Sequence, residues 1–390
     1  MKSSEGSKAG EPSETKSVAR ACEILAALEG TDQPVRLKDI VQRTGISKAT
    51  AFRILATLQN HGLVTRTQPH GYRTATQIRR PQRIRIGYAA QTDEFAFSRA
   101  VTEGIIASAK KADIDLFVLN NEYSPIVALQ NAETFIKEDV HLIMEFQTDS
   151  SIAPLLSAKL LKKHVPLIAI EIPHPNATYF GLNNSQAGLT GGRYLGRWAQ
   201  SHWNGRVDEV ILLGLPMAGS LPGSRLTGAL LGMREIMPSL EDSQVRVLSG
   251  NGRFQTSYEA VKQYLKRSTH KHILVSGIND PSALGALQAF RDAGRQNHCA
   301  IMGQNASSDA VLEMSYPDTR LVGSVGCFPE KYGEQLMGIA LQLLDHKPVA
   351  SAIFVKHHLI TPDNLRNYYL VEKTRRPRNK KSAHPSHANS

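Results

Sequence analysis

Cysteine is scarce in this chain of 390 residues, which holds only Cys22, Cys299 and Cys327. Three thiols without CxxC spacing cannot build a disulfide framework, so a reducing, cytoplasmic compartment is expected. Aromatic residues are few, 6% of the chain with two tryptophans. No apolar run approaches the roughly 18 residues that a membrane span needs, so no membrane partner is expected. The leading MKSSEGSKAGEPSETKS holds no apolar stretch of the kind a secretory signal requires. Signatures of catalysis are missing too: there is no Walker A run, no HExxH, no Gly-x-Ser-x-Gly and no zinc spacing. Gly250-Asn251-Gly252-Arg253-Phe254-Gln255 lacks the last glycine of a dinucleotide fingerprint and reads as a turn. No catalytic residue, metal or cofactor is expected, and the chain reads as a binding protein rather than an enzyme.

Acidic residues are also in deficit, 35 Asp and Glu against 46 Lys and Arg, a formal charge of +11. The excess is concentrated at the ends. Residues 1–83 carry 14 Lys/Arg against 7 Asp/Glu, and residues 372–390 carry 6 against 1. What lies between is balanced, 26 against 27. A neutral body with basic ends points to a polyanion met by the ends.

The polar residues 1–14 read as a disordered lead. Val18, Ala21, Cys22, Leu25 and Leu28 then fall on one face of a helix closed by Gly30. A second helix is expected from Leu37 to Thr44, a turn at Gly45-Ile46, and a third helix capped by Ser47 with Ala51, Ile54, Leu55 and Leu58 on its inner face. Asn60-His61-Gly62 stops that helix. Two extended pieces, Leu63–Thr67 and Tyr72–Thr74, flank Gln68-Pro69-His70-Gly71. Three helices and a hairpin outline a winged helix-turn-helix over residues 15–74. Its third helix would enter a DNA major groove. Ser47, Lys48, Thr50 and Arg53 lie early on that helix, where base edges and flanking phosphates are reached. Lys38 stands on the preceding helix, while Arg66, His70 and Arg73 on the hairpin are placed to meet the DNA backbone. The competing reading is a small helical module for dimerisation or protein binding, its charges merely solvated.

Residues 75–83 read as a linker, and residues 372–390, with Arg375-Arg376-Pro377-Arg378, as a basic disordered tail that can add phosphate attraction. Between them, over 84–371, short apolar runs (Ile84–Tyr88, Leu116–Leu119, Leu142–Met144, Leu167–Ile170) alternate with amphipathic stretches such as Ser98–Lys111 and Ile126–Lys137. The same rhythm restarts near Val210, with runs at Val245–Leu248, Ile273–Val275 and Ala300–Met302. Strands separated by helices of this length mean βαβ units and parallel sheets. The fold class is α/β, two Rossmann-like lobes behind the winged helix. Arg197, Trp198, His202 and Trp203 read as lobe surface or subunit contact, and His357-His358 as an exposed or strand pair.

Residues 15–74 resemble the DNA-binding domain of IclR-family transcriptional regulators. Lys16-Ser17-Val18-Ala19-Arg20-Ala21, Gly45-Ile46-Ser47-Lys48-Ala49-Thr50 and Leu58-Gln59-Asn60-His61-Gly62-Leu63-Val64 carry the resemblance. The turn is also reminiscent of LacI/GalR regulators, but there no helix precedes it and no wing follows. The usual IclR effector domain does not follow here. Residues 84–365 instead resemble type I periplasmic-binding-protein domains, as in ribose-binding proteins and LacI/GalR effector cores. That likeness rests on Val165–Glu171, Asn183-Asn184-Ser185-Gln186-Ala187-Gly188, Ser224-Arg225-Leu226-Thr227-Gly228, Asn279–Ala286, Met302–Asn305 and Val325–Pro329. It implies a two-lobed sugar-binding fold with a ligand cleft.

Ligands of open α/β sheets bind beyond the carboxyl ends of strands. Glu171, Asn279, Asn305 and Cys327 each directly follow an apolar run, and Arg225 opens a helix. Phe95, Phe97 and Phe254 are candidate stacking platforms. A ligand would be held by Glu171 and Asn183 on one lobe and by Arg225, Asn279 and Asn305 on the other. Ile172, Asn305 and Cys327 depart from the sugar-binding pattern, and the competing reading of any single ligand position is a turn or cap residue; Asn279-Asp280-Pro281 is a good helix start. The partners implied are operator DNA, a sugar-like effector and a second copy of the chain, since symmetric half-sites match a two-fold dimer. A receptor without operator specificity is the alternative.

Overall fold

The computed structural model describes residues 15–28, 33–67, 71–74 and 84–370. The expected lead at 1–14, the stop at Gly30, the wing tip with His70, the linker 75–83 and the tail 372–390 lie outside the described residues. The chain divides between Arg83 and Ile84 into two compact units.

The first unit holds α1 (Lys16–Leu28), β1 (Val35–Arg36), α2 (Leu37–Thr44), α3 (Lys48–Asn60), β2 (Val64–Thr67) and β3 (Gly71–Thr74). The strands form an antiparallel sheet in the order β1-β3-β2. Gly45 ends α2 in the left-handed region, φ 68°, and its N–H returns to the Val41 carbonyl, which is the close a glycine favours. Ser47 caps α3 by accepting the Thr50 N–H. Ala51, Leu55 and Leu58 of α3 are buried with Ile24, Ile40, Val64 and Tyr72. On α1 the inner face differs from the expected one. Ile24 and Leu28 are buried, whereas Val18 and Cys22 are exposed. The periodicity runs from Ala21 through Ile24, Leu25 and Leu28, an i, i+3, i+4, i+7 set that fits the helix equally well.

The second unit is two lobes. The first lobe's sheet has the order β5-β4-β6-β7-β8-β14, all pairs parallel: β4 (Arg85–Ala90), β5 (Asp115–Asn120), β6 (Leu142–Glu145), β7 (Leu167–Ile170), β8 (Thr178–Leu182) and β14 (Ala352–Val355). The second has the order β10-β9-β11-β12-β13-β15: β9 (Glu209–Gly214), β10 (Val245–Ser249), β11 (Ile273–Gly277), β12 (Cys299–Asn305), β13 (Leu321–Gly326) and β15 (His358–Ile360). Only the β13–β15 pair is antiparallel there. The inner strands β4, β6, β7, β9, β11 and β12 are largely apolar because they are buried on both faces, whereas the edge strands β10 and β15 are partly exposed. The helices are α4 (Ala96–Lys111), α5 (Pro125–Lys137), α6 (Ala153–Leu161), α7 (Asn184–Trp203), α8 (Ser220–Ile236), α9 (Phe254–Leu265), α10 (Asp280–Asp292), α11 (Ser308–Met314) and α12 (Tyr332–Leu344).

The second lobe begins with α7, ahead of Val210, because α7 packs on α8, β12 and β13. The first lobe regains the chain late, through α12 against α4 and β14 beside β8. The chain therefore passes between lobes three times, after β8, after β13 and after β14. Helices α7 and α8 meet backbone to backbone. A Cβ at Gly188 would lie 2.0 Å from the Arg225 carbonyl oxygen, and one at Gly228 2.4 Å from that of Ser185. No other residue fits at either position without moving a helix.

Candidate functional site

In each sheet the first strand (β4, β9) lies between the second and third, so the chain leaves it in opposite directions on the two sides. A crevice opens at the carboxyl ends of such strands. The two crevices face one another and enclose a cavity of about 320 Å³, within the usual range for small-molecule sites. Its walls come largely from strand ends and the segments that follow them: Gln91 after β4, Tyr123 after β5, Phe146 and Thr148 after β6, Glu171 and Ile172 after β7, Leu215 after β9, Ile278 and Asn279 after β11, Asn305 at the end of β12 and Ser307 after it.

At the centre an ion pair joins the lobes. Arg225 Nη2 lies 2.9 Å from Glu171 Oε2, each side chain 9% exposed. Tyr332 donates to Glu171 Oε1 at 2.8 Å. Burial, with Cys327 and Glu171 alongside, raises the Tyr332 phenol well above its ordinary range, so it remains a donor. The Arg225 fork is completed by Asn184 Oδ1 and the Ile278 carbonyl. Glu171 has φ 62° and Asn305 has φ 97°, conformations that non-glycine residues adopt at a cost. Both strained residues line the cavity.

A second cross-lobe contact closes the rim. Arg253 Nη1 pairs with Glu94 Oε2 at 2.9 Å. Its guanidinium stands 4.7 Å from the Tyr123 ring centre and 5.6 Å from that of Phe95, a cation–π arrangement. Ser150 adds a hydrogen bond to the Met217 carbonyl at 3.1 Å.

Behind the wall, Asp280 is fully buried and binds the Ser324 hydroxyl and the Ser307 N–H, both at 2.6 Å. Burial pushes its carboxyl up to about 6. Glu145 takes a hydrogen bond from Asn121 at 2.7 Å and burial pushes it up to about 8. Gln91 donates to Thr148 Oγ1 at 2.8 Å and accepts from Ser98.

Six of the eight expected ligand residues line this one cavity: Phe95, Phe97, Glu171, Arg225, Asn279 and Asn305. Phe254 lines it as well. Asn279 also caps α10 by accepting the Ser282 N–H at 3.0 Å, and it donates to the Gly252 carbonyl at 2.9 Å. Asn183 does not line the cavity. Its Oδ1 accepts the Gln186 N–H and caps α7, while its neighbour Asn184 is the buried residue that reaches Arg225. Cys327 is off the wall too; it is buried with Sγ 3.9 Å from Asn305 Oδ1, and burial pushes its thiol up to about 12. Glu94, Tyr123, Arg253 and Tyr332 are not reached by sequence reasoning. Only the partition into lobes brings them to the cleft, and no local motif marks them.

In the first unit Lys38, Ser47, Lys48 and Arg53 are exposed on α2 and the start of α3, and Arg66 and Arg73 are exposed on β2 and β3. Arg66 leans over the Tyr72 ring at 6.0 Å. Thr50 is half-buried, and its hydroxyl accepts from Ser47 at 2.9 Å, so both hydroxyls serve the cap.

Residues 17–68 match the IclR helix-turn-helix domain, and residues 86–348 match the periplasmic binding protein domain. The second unit is similar in structure to an ABC-transporter solute-binding protein from Actinobacillus succinogenes 130z solved with D-allose (18% identity, TM-score 0.64, covering 73% of this chain and 99% of that one). It is likewise similar to a solute-binding protein from Bacillus halodurans C-125 with myo-inositol (18%, 0.63, 73% and 97%) and to one from Mycobacterium smegmatis with glycerol (15%, 0.65, 74% and 98%). Among curated proteins none matches. With two parallel-sheet lobes around a shared cleft and a match over most of its length, the chain belongs to the periplasmic binding protein domain family and carries an IclR helix-turn-helix domain ahead of it.

Proposed function

We propose that this protein is a ligand-responsive DNA-binding regulator of transcription, acting in the cytoplasm as a homodimer, whose effector is a sugar or a related small polar metabolite. The observation that carries the reading is the cleft's cross-lobe ion pair in a chain that also carries a helix-turn-helix. A small molecule in the cavity beside the Glu171–Arg225 pair would favour closed lobes, and closure can change DNA affinity only if the molecule binds one lobe arrangement better than the other. Lys48 and Arg53 on α3 would meet base edges and phosphates, with Lys38, Arg66 and Arg73 on the flanking backbone. The polar groups on the cavity wall beside Phe95, Phe97 and Phe254 suit a ligand with hydroxyls on one edge and an apolar face. That solute-binding proteins of the same fold hold D-allose, myo-inositol and glycerol supports this class of effector.

The test is a DNA-shift assay on duplexes from the protein's own upstream region, with and without a panel of sugars and polyols. The expected result is a complex that weakens steeply with salt and whose affinity shifts with one member of the panel. Complexes unaffected by every compound that calorimetry shows to bind would refute the coupling. Loss of that binding in Arg225→Ala would place the compound in the cleft.

A further inference from the structure

Among the described residues of the first unit three large apolar side chains are exposed, Val18, Phe52 and Leu63, and Phe52 is the one that stands on α3. Phe52 is 51% exposed. It stands one turn after Lys48, and with Ala49 and Arg53 it makes up the solvent face of α3, opposite the buried Ala51, Leu55 and Leu58. The surroundings are cationic: from Leu37 to Asn60 the chain has Lys38, Arg43, Lys48 and Arg53 but a single acid, Asp39. A ring flanked by cations on an exposed helix face has a natural counterpart in the B-DNA major groove. There the only apolar group on a base edge is the thymine 5-methyl, and phosphates line both walls. Ala49 next to it adds no bulk, so the helix can approach the groove floor.

We infer that Phe52 reads a thymine methyl group in each operator half-site, a specificity contact distinct from the charged and hydroxyl residues of the same helix. This rests on the DNA-binding reading above. The size of the effect follows from burying one methyl group, about 4-fold in affinity for each thymine contacted.

The experiment begins with selection of binding duplexes from a randomised library by the full-length protein. In the selected duplex each thymine is then replaced singly by uracil, which removes the methyl and keeps every hydrogen-bonding group. Affinity is read by fluorescence anisotropy for the wild type, Phe52→Ala and Phe52→Leu. The wild type should lose about 4-fold at one thymine per half-site, Phe52→Ala should be indifferent to that substitution, and Phe52→Leu should keep part of the sensitivity. Far-UV circular dichroism establishes that the variants retain the helices. Wild-type protein indifferent to uracil everywhere, or Phe52→Ala losing as much as wild type at the same thymine, would overturn the inference and leave DNA binding standing. A change of oligomeric mass in Phe52→Ala would overturn it in favour of a contact between copies. Enrichment of no duplex would overturn the inference together with the DNA-binding reading beneath it.

Discussion

Arg225→Met is the substitution that most directly tests the cleft. It removes the cation and leaves Glu171, whose side chain is only 9% exposed, with the Tyr332 hydroxyl as its remaining hydrogen-bond partner in this cluster. Breaking a buried pair from one side costs about 3–5 kcal/mol, because a charge stays buried without compensation. The molecule has a way to avoid that cost: the pair spans two lobes, and separating them returns Glu171 to water. The loss should therefore appear first as lobe opening, a shift of roughly 100-fold or more in the closed-to-open ratio at about 1.4 kcal/mol per decade, and only partly as a lower unfolding midpoint. Small-angle scattering should give a larger radius of gyration for Arg225→Met than for wild type. Glu171→Gln combined with Arg225→Met should recover most of the difference, since no charge is then left buried. If the single variant scatters like wild type and melts within about 1 kcal/mol of it, or if the double variant is as open as the single one, the pair does not govern closure and the reasoning fails.

Other expectations follow from the same contacts. Arg253→Ala should change unfolding free energy by less than about 1 kcal/mol, the pair with Glu94 being largely exposed; stopped-flow release of a bound polyol should nevertheless be faster, and an unchanged release rate would show the rim plays no part in retention. Glu145 has its carboxyl raised from 4.5 to about 8 by burial, so it contributes stability that is fully present below pH 4.5 and is lost as pH rises through 8. Glu145→Gln should flatten that part of the stability profile in denaturant titrations; an unaltered slope would mean the carboxyl does not titrate there. Gly188→Ala puts a methyl into the Arg225 carbonyl and should destabilise by about 1–3 kcal/mol, measured by thermal melting, whereas an equally stable variant would mean that α7 and α8 can part freely.

The sequence made the helix-turn-helix legible through local signals: Gly45 in a left-handed close, Ser47 as cap and the apolar spacing of α3 are all decided by neighbours in the chain. The parallel strands announced themselves because burial on two faces makes them continuously apolar. β8, β13, β14 and β15 did not. Thr178–Leu182 and Leu321–Gly326 contain glycine and hydroxyl residues, and their strand character comes from the neighbouring strand. The site divides the same way. Glu171 and Asn305 could be found because they stand at or just past the end of a strand; Arg225 does not open its helix as expected but sits in the second turn of α8, which begins at Ser220, and Asn183 and Asn184 differ by a single step of helix register that no pattern fixes. Glu94 and Arg253 meet only because two lobes meet.

The glycine contact between α7 and α8 bears on which parts of the cleft are free to change. Helix α7 starts at the very residue where the chain crosses between lobes, and α8 presents the guanidinium. With carbonyl oxygens seated where side chains would otherwise stand, the two helices behave as one strut, and the guanidinium inherits the rigidity of main chain. New ligand preferences would have to arise in the loops after the strands, which can be rewritten freely, while the strut passes each opening or closing of the cleft straight to the crossover.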